Sequence, residues 1–554
     1  MPNSRPTHYT SSILLSEIKQ GKIKIPQFQR EFVWERERSA KLIDSILKGY
    51  PLGTFIFWKT QERLRAVRNI GGLDLPTPPD GEFTYQVLDG QQRLTSLVAA
   101  MEGITLKEDF GEICVDLDTD PGSEDPIVYS RPSQMPKGHT AISFKQMITA
   151  GPLALTRAYP SEPHLEMIQR HRNQFNAYPF PAVELSDASL SIATEIFTRL
   201  NVGGRSLTGF EIMVAKTWDE TRGFDLLERV KQMDGELAQV NYGNLDHQLF
   251  VQMVVAIAHK SIRTKDMLEM RRSEFIDTWP VAMQALRAAV DFCRSDLLIP
   301  VRALLPSERV LIPLAYYFHI SGANPVGEAK RRLVDLFFRI GLSERYSGTT
   351  ETRIAQDLRA VVEISQGKQP VYDYGVNASA ESIRLNGHFR AGRSFIKTLL
   401  CVLTACGPRD FHTSGRVLLE NALMKQKNSR NYHHFYPTAH LDKAGEVLPS
   451  NHIANITLIS ANLNKNLIRA KAPTKYLAEF SLQNSNLIND LKTHLITEAV
   501  LKSDDYSAFF NARNDALARE LQGRLIPQQR DLGTAEVLPL NEADEVEEDE
   551  LSLT

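Results

Sequence analysis

The chain has 554 residues, 42% of them apolar and 24% charged, which excludes fibrous, collagen-like and wholly disordered classes. That length predicts several domains rather than one core. Its formal net charge of −3 hides an uneven distribution: residues 541–554 hold seven acidic residues and no basic one, and without them 60 acidic residues face 64 basic ones. The opening MPNSRPTHYT has no apolar h-region. Apolar runs such as Val310–Phe318 and Leu399–Val402 fall short of the ~20 residues of a membrane span. A cytoplasmic protein without a membrane partner is expected. Cys114, Cys293, Cys401 and Cys406 are too few and too scattered for a disulfide scaffold and read as reduced core residues.

Residues 1–215 mix short apolar strands with helices. IPQFQREFVW (25–34) leads into an amphipathic helix, ERERSAKLIDSILKGY, and then into PLGTFIFW. A turn-rich loop, GGLDLPTPPDGE, separates this from FTYQVLDGQQRLTSLVAAM at 83–101. FTYQVL has strand composition, whereas Leu94, Leu97, Val98 and Met101 have helical spacing. Asp89 and Gly90 therefore make the turn, and Gln91, Gln92 and Arg93 fall in the first turn of a helix. Such an N-terminus carries unpaired N–H groups and partial positive charge, a setting for phosphate. Gly90 permits close backbone approach, Arg93 is a bidentate phosphate donor, and Asp89 would hold Mg²⁺ or simply cap the helix. The plainer reading is an ordinary Asp-Gly turn with a surface arginine. A second Gly-rich turn, EIFTRLNVGGRSLTGFE (195–211), sets Arg199 and Asn201 beside glycines, and neither a G-x-x-x-x-G-K-[ST] nor a G-x-G-x-x-G pattern competes.

Taken in order, IPQFQREFVW, PLGTFIFW, VLDGQQRLTSL and IFTRLNVGG resemble the GmrS-type domain. The resemblance spans roughly residues 10–215. It implies a ParB/sulfiredoxin-like fold that uses its DGQQR motif to bind and hydrolyse a nucleoside triphosphate, GTP or another. Asp89, Gly90, Gln91, Gln92 and Arg93 match the motif directly; Gln29, Arg30, Arg199 and Asn201 are carried over from the flanking segments.

Residues 216–385 are dominated by helical periodicity, as in Leu333, Leu336, Phe337 and Ile340, and read as a helical connector. Residues 386–510 are mixed again. Within them, 421–475 carry eight Lys or Arg against Asp442 and Glu446, the local charge of a phosphate-backbone binder. NYHHFYP (431–437) and NHIANITLIS (451–460) supply a histidine pair on a strand and an asparagine; Asn455 follows His434 by 21 positions and Asn464 follows Asn455 by nine. A one-metal ββα nuclease needs a histidine base, metal ligands from strand and helix, and an asparagine pinning the loop. Adjacent strand residues point to opposite faces, so His433 and His434 would share a site only across a bulge or strand end. A zinc site from His433, His434, His440 and His452 competes, though without nearby cysteine. Residues 511–554 read as a short helix (Ser507–Leu521) and a disordered acidic tail, which would solubilise the chain or compete with DNA for the basic segment.

The run HHFYP, IANITLIS, NLNKN and KAPTKYL resembles the GmrD-type HNH domain, departing from it with His433 in place of an acid and Ala454 in place of Gly. The resemblance implies His434 as general base, Asn455 as the loop-orienting residue, and His433 and Asn464 as ligands of Mg²⁺ or Mn²⁺. Asn462 and Asn466 are alternatives for the last ligand. Both domains in one chain resemble fused GmrSD-type modification-dependent (type IV) restriction enzymes, with an SspE-like layout. The expected whole is an α+β multidomain protein: a ParB/sulfiredoxin-like domain, a helical middle and a C-terminal HNH ββα-metal nuclease. Its expected activity is nucleotide-regulated cutting or nicking of double-stranded phage DNA according to modification. The alternative is a non-cleaving, nucleotide-switched DNA-binding regulator. Amphipathic helical surfaces leave a homo-oligomer open.

Overall fold

In the computed structural model, the alternating apolar residues of FIFWKT and TYQVLD build the centre of a five-stranded mixed sheet. Its order is β1 (Asn3–Tyr9), β8 (Phe180–Ser186), β3 (Phe55–Thr60), β4 (Thr84–Asp89) and β2 (Ile23–Lys24). β3 runs antiparallel to β4 and parallel to β8, and β4 runs parallel to β2. The structure describes residues 3–26, 32–61, 70, 73, 75–76, 78–79, 81–200, 208–219, 221–348, 350–419, 432–459, 463, 468, 470–532, 536 and 538. The architecture is mixed α+β, in two compact units, Met1–Leu226 and Leu227–Thr554.

In the first unit, Phe55 and Phe57 of β3 and Val87 of β4 are buried in one apolar core with the inner faces of helices Arg36–Leu47 and Gln91–Glu102. The two helices approach closely because small polar residues meet between them, with Ser39 Oγ 2.8 Å from Ser96 Oγ. A second sheet, absent from the sequence reading, orders β6 (Val128–Tyr129), β5 (Cys114–Asp116) and β7 (Ala141–Ser143). Helix 36–47 holds its edge, since Asp44 Oδ1 accepts from the Ile127 and Val128 amides at 2.7 and 3.1 Å.

The second unit is built on a helix, Leu311–Ser321, buried all round from Leu311 to Phe318. Its neighbours are helices His247–His259, Arg272–Ser295 and Thr350–Ser365. The periodic residues Leu333, Leu336, Phe337 and Ile340 face the core as expected. Arg339 on the same helix, Gly327–Leu342, is fully buried, bonded to Asp335 Oδ1 (2.9 Å), Asp531 Oδ2 (2.6 Å) and the Ile526 carbonyl (2.6 Å), which fastens the 526–531 segment. The same unit contains a short antiparallel hairpin, β9 (Tyr432–His434) against β10 (Ile456–Leu458). No described helix is long and apolar enough to cross a membrane. All four cysteines are free, with Cys114, Cys293 and Cys401 buried.

Candidate functional site: the DGQQR turn and the His434 hairpin

The DGQQR turn forms because Gly90 adopts φ 95°, and a Cβ there would lie 2.4 Å from Phe55 Cδ1. Conformation and space both demand glycine. Helix 91–102 starts directly after it, with no side-chain cap at Gly90. Arg93 turns inward, donating to the carbonyls of Leu52 (2.7 Å) and Thr54 (3.0 Å) and to Asp89 Oδ2 (2.9 Å), with its guanidinium 5.0 Å from the Phe55 ring centre. Gln92 Oε1 accepts from the Val33 and Trp34 amides at 2.9 and 3.3 Å. The motif thus ties two loops, 32–34 and 52–54, to one helix start. Gln91 is buried. Arg199 stands exposed near the end of helix Leu190–Leu200, which packs on β4, and pairs with Glu195 at 2.6 Å. Gln29, Arg30 and Asn201 lie outside the described residues.

The hairpin is organised by Asn455, which is fully buried at the foot of β10. Its Oδ1 accepts from the Tyr436 amide at 2.9 Å, and its Nδ2 donates to the Tyr436 and Ser450 carbonyls at 3.0 and 2.9 Å. One side chain therefore closes both ends of the 436–450 connection. The buried Arg513 of helix Tyr506–Gln522 clamps the other side, donating to the carbonyls of Ala454 (2.7 Å), Ile456 (2.6 Å) and His494 (3.1 Å). Burial pushes its pKa down to about 9, which leaves it cationic near neutral pH.

His434 is half-buried, with Nε2 3.2 Å from Asn451 Oδ1. The Asn451 amide is oriented in turn, since its Nδ2 donates to the Phe389 carbonyl at 3.2 Å. Asn451 Oδ1 is thus the acceptor, so His434 Nε2 carries the proton and Nδ1 keeps the lone pair, a tautomer assigned from the hydrogen-bond network. Burial lowers the His434 pKa, which keeps the ring neutral at physiological pH.

His433 is placed differently. The ladder pairs Ile456 with His434, Thr457 with His433 and Leu458 with Tyr432 without a shift, so adjacent imidazoles leave on opposite faces. His433 is 3% exposed, with Nδ1 3.3 Å from Thr457 Oγ1, and burial pushes its pKa down to about 3. The bulge that would bring both rings to one site is absent from this ladder. Asn464 and its alternatives Asn462 and Asn466 lie outside the described residues. The zinc reading loses His452: its Nδ1 accepts from the Ala454 amide at 3.0 Å and its Nε2 meets the Ile383 carbonyl at 3.2 Å, so both ring nitrogens are engaged.

Residues 12–218 match the family of the GmrSD restriction endonuclease, N-terminal domain. Over that stretch, less than half of the chain, the protein is similar to the N-terminal domain of a restriction endonuclease. The GmrSD-type span contains β2, β3, β4 and β8 and the whole DGQQR turn. A protein of Methanocaldococcus jannaschii, named only as uncharacterized, is 22% identical over 563 aligned residues, covering 90% of this chain and 93% of that protein.

Two residues of the hairpin escaped the sequence reading. Asn451, which fixes the His434 tautomer, stands inside the NHIANITLIS motif, four positions before Asn455. Its spacing carried no separate signal. Arg513 lies 58 residues beyond Asn455, and nothing in its helix distinguishes it from a surface arginine.

Proposed function

We propose that the chain is a nucleotide-regulated DNA endonuclease or nickase that restricts phage DNA according to its modification state. The observation that carries this reading is the His434–Asn451–Asn455 arrangement: a neutral imidazole, held by an oriented amide, beside a loop closed by one buried asparagine. In this reading His434 Nδ1 takes the proton from an attacking water, Asn451 holds the ring, and Asn455 holds the loop that shapes the site. The exposed Lys443 and Lys475 contribute to backbone binding.

A divalent ion, Mg²⁺ or Mn²⁺, would supply Lewis-acid charge at the scissile phosphate. His433 in its buried rotamer does not fit such an ion, because it faces away from His434; the proposed ligand is Asn464, with Asn462 and Asn466 as its alternatives. Nucleoside triphosphate binding is proposed at the DGQQR turn, through the start of helix 91–102, with Gln29, Arg30, Arg199 and Asn201 as candidate contributors. The seat of His433 is also the observation that favours a second reading, a non-cleaving DNA-binding regulator switched by nucleotide. One assay separates them: incubation of modified and unmodified phage DNA with Mg²⁺ or Mn²⁺ and each nucleoside triphosphate in turn. Metal-dependent strand scission supports the nuclease; retained DNA binding with no scission under every condition supports the regulator.

A further inference from the structure

Residues 387–389 run beside the His434 site as a short third strand. His388 and His452 form an antiparallel bridge, the Phe389 amide donates to the Asn451 carbonyl at 3.1 Å, and the Ile453 amide donates to the Gly387 carbonyl at 2.8 Å. Phe389 touches both sides of the site. Its ring meets Tyr432 of β9 edge-on, with centres 5.1 Å apart, and its carbonyl accepts from Asn451 Nδ2. The fit is close, since a Cβ on Gly387 would lie 2.3 Å from His452 Nε2.

A second observation lies at the start of this strand. Asn386, the last residue of helix Ala380–Asn386, is 2% exposed. Its Nδ2 donates to the Ser382 and Glu536 carbonyls at 3.1 and 2.9 Å, and its Oδ1 accepts from the Leu538 amide at 2.7 Å. Two of these three bonds therefore reach 150 and 152 residues along the chain. The Asn386 carbonyl accepts from Arg393 Nη1 at 3.2 Å, and Arg393 is held in turn by both carboxylate oxygens of the buried Glu344. The distant bonds fix where the chain leaves the helix and enters the 387–389 strand.

We propose that Asn386 is a positioning residue for His434, acting through the 387–389 strand and Asn451; the inference rests on the reading of His434 as the base. An asparagine amide has nearly the same shape at both ends, so its orientation is decided by the partners it finds. With the Phe389 carbonyl in place, Asn451 Nδ2 turns to it and Oδ1 faces His434 Nε2, which leaves the ring's lone pair on Nδ1. Once that carbonyl moves away, the amide can flip and present Nδ2 to His434. Nε2 then accepts, the ring proton sits on Nδ1, and no lone pair faces the water that the base must deprotonate. Residues 536 and 538, bonded to Asn386, thus keep the base in its working tautomer.

The test uses the full-length chain labelled with ¹⁵N-histidine, in which ring nitrogen shifts separate the two tautomers and His434→Ala assigns the signal. Near neutral pH the wild-type ring should be the Nε2–H form. Asn386→Ala should add an Nδ1–H population and lower kcat for DNA cleavage about 10–100-fold with KM for DNA unchanged, the scale of a misplacement transmitted from outside the site. Asn386→Asp keeps the shape and the acceptor for the Leu538 amide but gives up the donors, and should fall between the two. His494, whose Nε2 lies 2.8 Å from the Arg409 carbonyl, is the control for an intact fold. A wild-type ring protonated on Nδ1, or a purely Nε2–H ring in both variants, overturns the proposal whatever happens to cleavage. So does a change that spreads to His494, which marks general loosening. A tautomer shift confined to His434, in a chain whose wild-type form cuts no DNA, upholds the role of Asn386 and removes the nuclease reading instead.

Discussion

At the DGQQR turn, arginine and glutamine do the fastening: Arg93 reaches the Leu52 and Thr54 carbonyls, and Gln92 reaches the Val33 and Trp34 amides. At the hairpin the fastening falls to asparagines and to Arg513, while His434 keeps a basic ring nitrogen. The same kind of buried hydrogen bond therefore serves two ends. In the turn the motif residues are themselves the fixings, so altering them disturbs the fold and the proposed nucleotide site together. In the hairpin the proposed base, His434, is separate from the supports, so the proposed reaction and stability can be altered independently.

The sharpest break of that comparison is His434→Ala. A positioned general base contributes about 10²–10⁴-fold, so DNA cleavage should fall at least about 100-fold while nucleotide turnover and the melting temperature stay near wild type. Nicking of supercoiled plasmid, run beside a turnover assay, measures both; undiminished cleavage would remove His434 from the reaction.

Asn455→Ala should do the reverse. It strips three buried hydrogen bonds and leaves the Tyr436 amide and two carbonyls unsatisfied, a loss of about 2–3 kcal/mol. Denaturant unfolding would read this directly. An unchanged midpoint would mean that the 436–450 loop is held by something else.

Arg93→Ala tests the turn, where the two effects should not separate. Removing a guanidinium bonded to two carbonyls and a carboxylate should cost about 2 kcal/mol, and on the proposed function it abolishes nucleotide turnover and with it nucleotide-dependent cleavage. Lysine at the same position keeps the charge but not the fork, so it should not restore the hold on the 52–54 loop. Wild-type cleavage in Arg93→Ala, with and without nucleotide, would show that the turn does not regulate the nuclease.

Much of this was legible in the sequence because it is local. FTYQVL and LTSLVAAM announce a strand and a helix, and Asp-Gly between them announces the turn, which the structure places at β4 and helix 91–102. Asn455 was named as a loop-orienting residue through the resemblance of HHFYP and IANITLIS, not through any local signal for its partners Tyr436 and Ser450. The direction of Arg93 was not, since its acceptors come from a loop about forty residues earlier and no periodicity encodes them. The burial of His433 escaped for a related reason: alternation warned that the two rings diverge, but only the β9–β10 register says which one goes inward.

Acidification gives the smallest effect and discriminates within one unit. Burial pushes His452 down to about 4 and His494 down to about 3, from an ordinary imidazole value near 6.5. Between those values and about 6.5 the unfolded chain binds protons that the folded chain refuses. Stability contributed here is therefore complete above about pH 6.5 and lost as pH falls, by about 1.4 kcal/mol per pH unit for each imidazole. Asp357 in helix Thr350–Ser365 has the opposite sign: burial raises its carboxyl to about 7, so protonation on acidification relieves a penalty in the folded state. A global melting curve would blur the two, whereas amide exchange resolves them. Moving from pH 7.5 to 5.5 should cut protection at Asn455 and Phe435, whose amides bond to His452 O and Asn455 O, more than at the helical amides around Asp357. Equal losses at both places would mean that these buried imidazoles do not govern the acid response of the hairpin.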